Sequence, residues 1–101
     1  MTDKILRLLG LCVKSGGLAP GDSAVKDAIL RGRAHFVIIA EDCGENTRKK
    51  FERLCSEKNV ECAVFCKKSV IGRAVGKDEK AVVAVTDKNF ADAVGKLINR
   101  L

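Results

Sequence analysis

The sequence predicts an α/β fold, a three-layer αβα sandwich around a small mixed sheet of about four strands. Apolar residues recur at helical spacing in several segments, and short continuous apolar runs rich in Val and Ile lie between those segments. Glycine and polar turns separate the two kinds of segment. Because such apolar runs are typical of strands covered on both faces, we expect helices on both sides of the sheet.

The first half of the chain predicts two helices before the first long strand. Apolar residues at positions 5, 8, 9 and 12 predict a helix from Asp3 to about Lys14, which the glycines of Ser15–Gly17 end. A short extended piece follows around Leu18–Ala19, since Pro20 disfavours helical backbone before it. Gly21 or Asp22 then caps a second helix, whose inward face lies at positions 24, 25, 28 and 29 and which Gly32 closes.

The second half continues the alternation of strands and helices. "HFVIIA" at 35–40 predicts a buried strand, and a helix starts at Asn46 or Thr47 with apolar residues at 51, 54 and 55. A second buried strand is predicted near 60–65, a short helix from about 69 to 75, and a third buried strand over 81–87. Asp87 caps a last amphipathic helix, with positions 90, 93, 94, 97 and 98 inward.

Length, composition and charge narrow the class of protein. With 101 residues, the chain fits a single domain over residues 1–101. No apolar run approaches the roughly 20 residues of a membrane span, and "MTDKILRLLG" lacks the features of a signal peptide, so we expect a cytoplasmic protein with no membrane association. The net charge of +6 favours an anionic partner, of which nucleic acid is the commonest; a basic surface that only confers solubility is the alternative.

The five cysteines do not form an evident metal or disulfide pattern. Their odd number predicts free thiols in a reducing compartment, and there is neither a C-x-x-C pair nor more than one histidine. We therefore expect core or boundary thiols, no metal site and no cofactor. Cys43, on the turn "EDCGEN", is the candidate nucleophile of an alternative, a thiol-dependent enzyme.

Other candidate sites have simpler interpretations. Glu41 and Asp42 follow a strand, where α/β enzymes often place catalytic groups, but a polar turn explains them equally well. "GRAVGK" resembles a phosphate-binding loop only loosely and precedes a strand rather than following one. The basic face of the third helix is a solvated surface or a source of non-specific attraction; its members are Arg48, Lys49, Lys50 and Arg53.

The start of the second helix carries more information. A helix start offers unpaired backbone N–H groups and the positive end of the helix dipole, which suit phosphate or base acceptors. Gly21 permits close backbone approach, Ser23 supplies a small hydroxyl, and Lys26 lies one turn further on. An ordinary helix cap explains the same residues.

Nearly the whole chain resembles one protein family. The most specific pieces are Gly21 and Gly32 at their spacing, "VIIAEDCGENTRKK" (37–50), and "IGRAVGK" (71–77) before a valine-rich strand. In this order they resemble bacterial YlxQ-like members of the kink-turn-binding ribosomal proteins of the 7Ae/30e type. The chain departs from the family motif at the second helix, where Ser23, Ala24 and Asp27 stand in place of Asn, Glu and Lys.

The resemblance implies an αβα sandwich that binds kink-turn RNA on or near the ribosome. The start of the second helix would enter the kinked groove, and the loop before the last strand would contact the RNA at the same edge of the fold. Residue by residue, those roles fall on Gly21, Asp22 and Ser23 and on the loop Gly76, Lys77, Asp78, Glu79 and Lys80.

We therefore expect a monomeric, non-catalytic RNA-binding protein, ribosomal or ribosome-associated, that recognises structured, kink-turn-like RNA. Lys26, Arg33, Lys77 and Lys80 would neutralise phosphates. The alternatives are a protein-interaction module without specific RNA recognition, which would use the surface of the first or the last helix, and the thiol-dependent enzyme.

Overall fold

The computed structural model describes all 101 residues. The predicted mixed sheet of four strands is confirmed: its strand order is β1-β4-β2-β3, β2 and β3 run parallel, and β4 is antiparallel to both of its neighbours. In chain order the elements are α1 (Thr2–Lys14), β1 (Leu18–Pro20), α2 (Asp22–Leu30), β2 (Phe36–Ile39), α3 (Glu45–Glu57), β3 (Glu61–Val64), α4 (Lys68–Ala74), β4 (Val82–Val85) and α5 (Lys88–Ile98).

Side chains of the central strands alternate between two apolar cores, which makes the fold three-layered. Phe36 and Ile38 point to one side of the sheet, where they pack with buried residues of α1, α4 and α5. Val37 and Ile39 point to the other side and pack with buried residues of α2 and α3. Each fully buried Val or Ile stabilises the fold by about 1.5–3 kcal/mol relative to an exposed one. Because these side chains alternate between the two faces, both faces need a cover of helices.

The prediction that all three apolar runs are covered on both faces is wrong for β3. β3 pairs only with β2, and Glu61, Cys62 and Val64 are exposed. A strand with one neighbour lies at the margin of the sheet, where packing from helices is incomplete. β2 and β4 are buried along their whole length, as predicted.

Some element boundaries also differ from those predicted. α3 begins at Glu45 rather than Asn46 or Thr47, because Gly44 is the extended cap residue (φ −65°, ψ 154°). α4 begins at Lys68, not at Ser69. His35 precedes β2 and is exposed rather than opening the buried strand.

The two ends of the sheet carry different helix termini. At the carboxyl end of the sheet, β1, β2 and β3 finish at Pro20, Ile39 and Val64, and β4 begins at Val82. The starts of α2, α3 and α4 follow those three strands and therefore lie at this end, whereas α5 starts at the opposite, amino end. None of the helices combines the length and hydrophobicity that crossing a membrane requires.

Candidate functional site

The start of α2 is shaped by the backbone of Gly21. The Gly21 N–H donates to the Val82 carbonyl at 2.9 Å, and its carbonyl accepts from the Val25 N–H at 2.9 Å as the helix begins. Between these bonds Gly21 adopts φ 92° and ψ 165°, a conformation open essentially to glycine alone. The chain thereby turns from β1 into α2 within one residue.

No side chain closes this helix start. Gly21 is the cap residue, and neither Asp22 nor Ser23 makes a side-chain capping bond; both are exposed. The first-turn amides have no intrahelical acceptor, as at any helix start. The positive end of the α2 dipole thus faces solvent at the carboxyl end of the sheet.

The loop 76–80 is fixed against α4. A Cβ added at Gly72 would lie 2.7 Å from the Asp78 carbonyl oxygen and 2.8 Å from the Glu79 Cα, so the loop backbone packs directly on this glycine. The Lys77 N–H donates to the Gly72 carbonyl at 2.7 Å, and the Lys80 N–H donates to the Lys68 carbonyl at 3.1 Å. The loop is therefore held at both of its ends.

Lys80 joins the loop to the start of α2. A Cβ on Gly21 would lie 3.5 Å from Lys80 Nζ and 3.8 Å from Lys80 Cδ. Lys80 is half-buried and forms no ion pair. Its ammonium group adds a full positive charge beside the positive end of α2, and the two together favour a bound anion.

Among the predicted loop residues, the structure places Lys80 directly beside the start of α2. Gly21, Asp22 and Ser23 form the helix start, and Lys26 is exposed one turn further along the same helix. Gly76, Lys77, Asp78 and Glu79 are exposed on the adjacent loop. We call this surface the α2–loop surface; it consists of residues 21–23, Lys26 and residues 76–80.

Arg33 is not part of the α2–loop surface. It follows the nine-residue helix α2 and precedes β2, which begins at the amino end of the sheet. A helix of nine residues is about 13 Å long, so Arg33 lies about that far from the start of α2. Arg33 is exposed, and its proposed contact with phosphate stays a separate prediction.

Gly72 was missed by the sequence analysis. It lies in the segment "IGRAVGK", but no periodicity in the sequence assigns this glycine a packing partner. Its proximity to the Asp78–Glu79 backbone becomes visible only in the fold. The one available signal was the glycine itself, since a glycine kept inside a helix costs stability and often has a packing reason.

Asp42 has a structural role in the turn after β2. Its Oδ1 accepts a hydrogen bond from the Lys68 N–H at 2.8 Å, which satisfies an amide in the first turn of α4. The Glu41 N–H donates to the Cys66 carbonyl at 2.8 Å, which ties the same turn to the end of β3. The turn therefore connects the ends of two strands.

The basic face of α3 is partly neutralised by its own carboxylates. Arg48 pairs with Glu52 at 3.6 Å and Lys49 with Glu45 at 3.9 Å, both across one helical turn. Lys50 lies over the Phe51 ring, 5.2 Å from its centroid. These contacts favour the interpretation of this face as a solvated surface.

All five thiols are free, and burial suppresses ionisation of the inner ones. Burial, with a contribution from Asp87, raises the pKa of Cys12 to about 11. Burial and the neighbouring Cys62 raise the pKa of Cys55 to about 12. Burial also raises the pKa of Cys66, so these thiols carry little thiolate at neutral pH.

The burial of the thiols can be compared with the expectation. Cys12 and Cys55 are buried and Cys43 and Cys66 half-buried, as predicted for core or boundary positions, whereas Cys62 is exposed on β3. No three residues of the His, Cys, Asp and Glu types lie close enough to hold a metal ion.

Comparison with known proteins identifies the family. Residues 3–95 match the family described as the ribosomal protein L7Ae/L30e/S12e/Gadd45 family. The chain belongs to this family. The resemblance seen in the sequence is thereby confirmed.

Two bacterial relatives match over almost the full chain. A Bacillus subtilis protein named RNA-binding protein YlxQ is 35% identical over 92 residues, which are 91% of this chain and 92% of that protein. An Enterococcus faecium protein of the same name is 32% identical over 95 residues, 94% of this chain and 91% of its own.

Solved structures show the same L7Ae-type fold. A Bacillus halodurans protein of unknown function superimposes with a TM-score of 0.92 at 33% identity, over 95% of this chain and 97% of that one. A Giardia lamblia 15.5 kD RNA-binding protein superimposes with a TM-score of 0.78 at 22% identity, over 95% and 86% of the two chains.

Proposed function

We propose that this protein binds structured RNA through the α2–loop surface, as a single RNA-binding domain over residues 1–101 and without catalysing a reaction. The observation that carries the proposal is the position of Lys80 Nζ, 3.5 Å from the place of a Gly21 Cβ. A free helix start and an unpaired ammonium group face the same space, and phosphate is the anion that such a pair suits best.

The relatives' names and the charge support RNA as the partner. Both bacterial relatives are named RNA-binding proteins, and the chain carries a net charge of +6. The family includes ribosomal proteins. We therefore propose a kink-turn-like RNA, ribosomal or associated with the ribosome, bound by a monomer in the cytoplasm.

The site favours recognition of RNA shape over recognition of a linear sequence. Ala24 is half-buried and has no polar group, so it cannot accept a hydrogen bond from a base edge. Backbone N–H groups and lysines contact phosphates, which position RNA without reading its sequence. Bent RNA backbones bring phosphates into arrangements that a straight duplex lacks.

A filter-binding titration with two RNAs tests this function. One RNA contains a kink-turn, and the other is a straight duplex of equal length and base composition. We expect tighter binding to the kink-turn RNA and a steep loss of affinity with added salt. Equal affinity for both RNAs would contradict the kink-turn proposal, and no binding to either would contradict RNA binding at this surface.

A pair of double variants tests the location of the site. Ser23→Glu with Lys26→Glu is expected to weaken kink-turn binding about tenfold or more, because both new carboxylates face the RNA. Ser56→Glu with Arg53→Glu makes the same change of charge at the same spacing on the exposed face of α3. Equal losses for the two double variants would mean that only net charge matters, and the α2–loop surface would be excluded as the specific site.

A further inference from the structure

Helix α1 has a second apolar stripe that the core covers only in part, since Leu6 packs against the core while Val13 is exposed. Ile5, Leu9 and Cys12 are buried in the core on one face of the helix. Leu6, Gly10 and Val13 recur at i, i+4 and i+7 on an adjacent face, and Val13 is 39% exposed. This stripe faces α4 across an open groove.

Helix α4 forms the other wall of the groove. Its residues Val70 and Ala74 line it, and Val70 is 36% exposed. Gly76, the first residue of the loop 76–80, lines the groove as well. The two helices approach closely at Gly10, where an added Cβ would lie 3.3 Å from the Ala74 carbonyl oxygen. The groove has a volume of about 890 Å³. We call it the α1–α4 groove.

The rim of the α1–α4 groove is cationic. Arg7 and Lys14 on α1 and Arg73 on α4 border it, and Asp3 is the single carboxylate among the lining residues. The three cations are exposed, and none forms an ion pair within the chain. The basic face of α3 differs, since two of its cations are paired with carboxylates.

We propose that the α1–α4 groove binds an acidic amphipathic helical segment of a partner protein. An apolar face on such a segment would cover Leu6, Val13 and Val70, while its carboxylates would pair with the rim cations. The 13 residues of α1 extend about 20 Å, which matches a partner helix of about four turns. This inference does not depend on RNA binding at the α2–loop surface.

The lining of the groove favours a protein over RNA as its occupant. Single-stranded RNA is held largely by stacking of bases on aromatic side chains, and the groove contains none. Its floor is aliphatic, with no hydrogen-bonding side chain between the rim cations. Aliphatic floors with charged rims are typical of grooves that bind amphipathic helices.

Two labelled synthetic peptides serve as probes in a fluorescence anisotropy titration. The first is a helix of about 14 residues, with Leu at i, i+3, i+4 and i+7 and Glu on the flanking positions. The second carries Lys in place of every Glu. We expect the Glu peptide to bind about tenfold or more tightly than the Lys peptide, because the rim attracts carboxylates. Equal binding of the two peptides, or no binding of the Glu peptide, would overturn the proposal.

Matched variants of the full chain locate the binding. Arg7→Glu is expected to weaken binding of the Glu peptide about tenfold, whereas Arg53→Glu on α3, also exposed and mid-helix, should leave it unchanged. Val13→Ser should weaken it severalfold, and Leu30→Ser, at an equally apolar exposed site on α2, should not. Circular dichroism of each variant checks that the fold is intact.

Amide chemical-shift mapping supplies a readout that a general loss of stability would not give. Addition of the Glu peptide should shift the amides of Gly10, Val70 and their helix neighbours, and leave β3 and α3 unchanged. Shifts centred on α3 would overturn the proposal. Shifts of the groove amides on addition of a straight RNA duplex would also overturn it, because RNA would then occupy the groove. A dimer in sedimentation experiments that Val13→Ser abolishes would overturn it too, because a second copy of the chain would then occupy the groove.

Discussion

One residue separates β1 from α2 and two residues separate β4 from α5, yet the two helix starts are built differently. At α5, Asp87 Oδ1 accepts a hydrogen bond from the Phe90 N–H at 3.0 Å, so the capping carboxylate is part of the fold. At α2, Gly21 supplies no side chain, and Lys80 Nζ lies beside it. One helix start is closed internally, and the other leaves its amides and a nearby cation for an outside anion.

The missing capping bond alone does not distinguish α2, because the starts of α1 and α3 also lack a side-chain capping bond. What distinguishes α2 is the Lys80 ammonium group beside Gly21. The carboxylate of Asp22 is at hand near α2 but makes no capping bond.

Among the tests of this comparison, the largest effect on stability is expected from Gly21→Ala. The φ of 92° and ψ of 165° at Gly21 are strained for any residue with a Cβ, at a cost of about 1–3 kcal/mol. Gly44→Ala is the matched control, since Gly44 caps α3 at φ −65° with no atom near its missing Cβ. We expect that control to remain within about 0.5 kcal/mol of the parent. Urea unfolding followed by circular dichroism measures the free energy of unfolding of both variants. Equal losses of stability would contradict the claim that the conformation of Gly21 requires glycine.

Removing the two acidic residues tests the comparison directly. Asp87→Ala should lower the free energy of unfolding by about 1 kcal/mol, because it removes the bond to the Phe90 N–H. Asp22→Ala should cost only about 0.3 kcal/mol, from its interaction with the helix dipole. In the kink-turn titration we expect Asp22→Ala, rather than Asp87→Ala, to have the larger effect. Asp22→Ala should strengthen binding, and Asp87→Ala should leave it unchanged. A larger stability loss at Asp22 than at Asp87 would contradict the assignment of α2 as the open helix start.

The smallest effect is expected in the salt dependence of Lys80→Ala. Each phosphate contact contributes about one unit to the slope of log affinity against log salt concentration. Lys80→Ala should reduce the slope of kink-turn binding by about one unit, and Lys96→Ala on the exposed side of α5 should leave it as it was. An unchanged slope in Lys80→Ala would remove this lysine from the phosphate-binding group.

The fold was predictable because its signals are local. Phe36–Ile39 is a continuous apolar run in the sequence, which is why both faces of this strand are covered. The capping pattern of Asp87 is also visible in the sequence. The exposure of β3 could not be predicted from the sequence, because it depends on the position of β3 in the strand order of the sheet. The run from 60 to 65 is apolar apart from Glu61, and nothing in that run says that only one strand will pair with it.

The candidate site was predictable in part. The glycine and the helix start at 21–23 follow from turn chemistry, and the grouping with the loop 76–80 came from resemblance to a family. The distance between Arg33 and the α2–loop surface follows from the length of α2, which the sequence pattern also predicts. The contact of Gly72 with the Asp78–Glu79 backbone required the fold, because it joins a helix to a loop through atoms common to every residue.

The position of β4 has a consequence for the order in which the protein becomes active during synthesis. β4 is the last strand in the sequence but lies inside the sheet, where it pairs with both β1 and β2. Until the ribosome has released residues 82–85, β1 has no partner strand and Gly21 has no Val82 carbonyl to bind. A nascent chain that ends before β4 therefore lacks both the strand pairing and the hydrogen bond that hold the start of α2 in place.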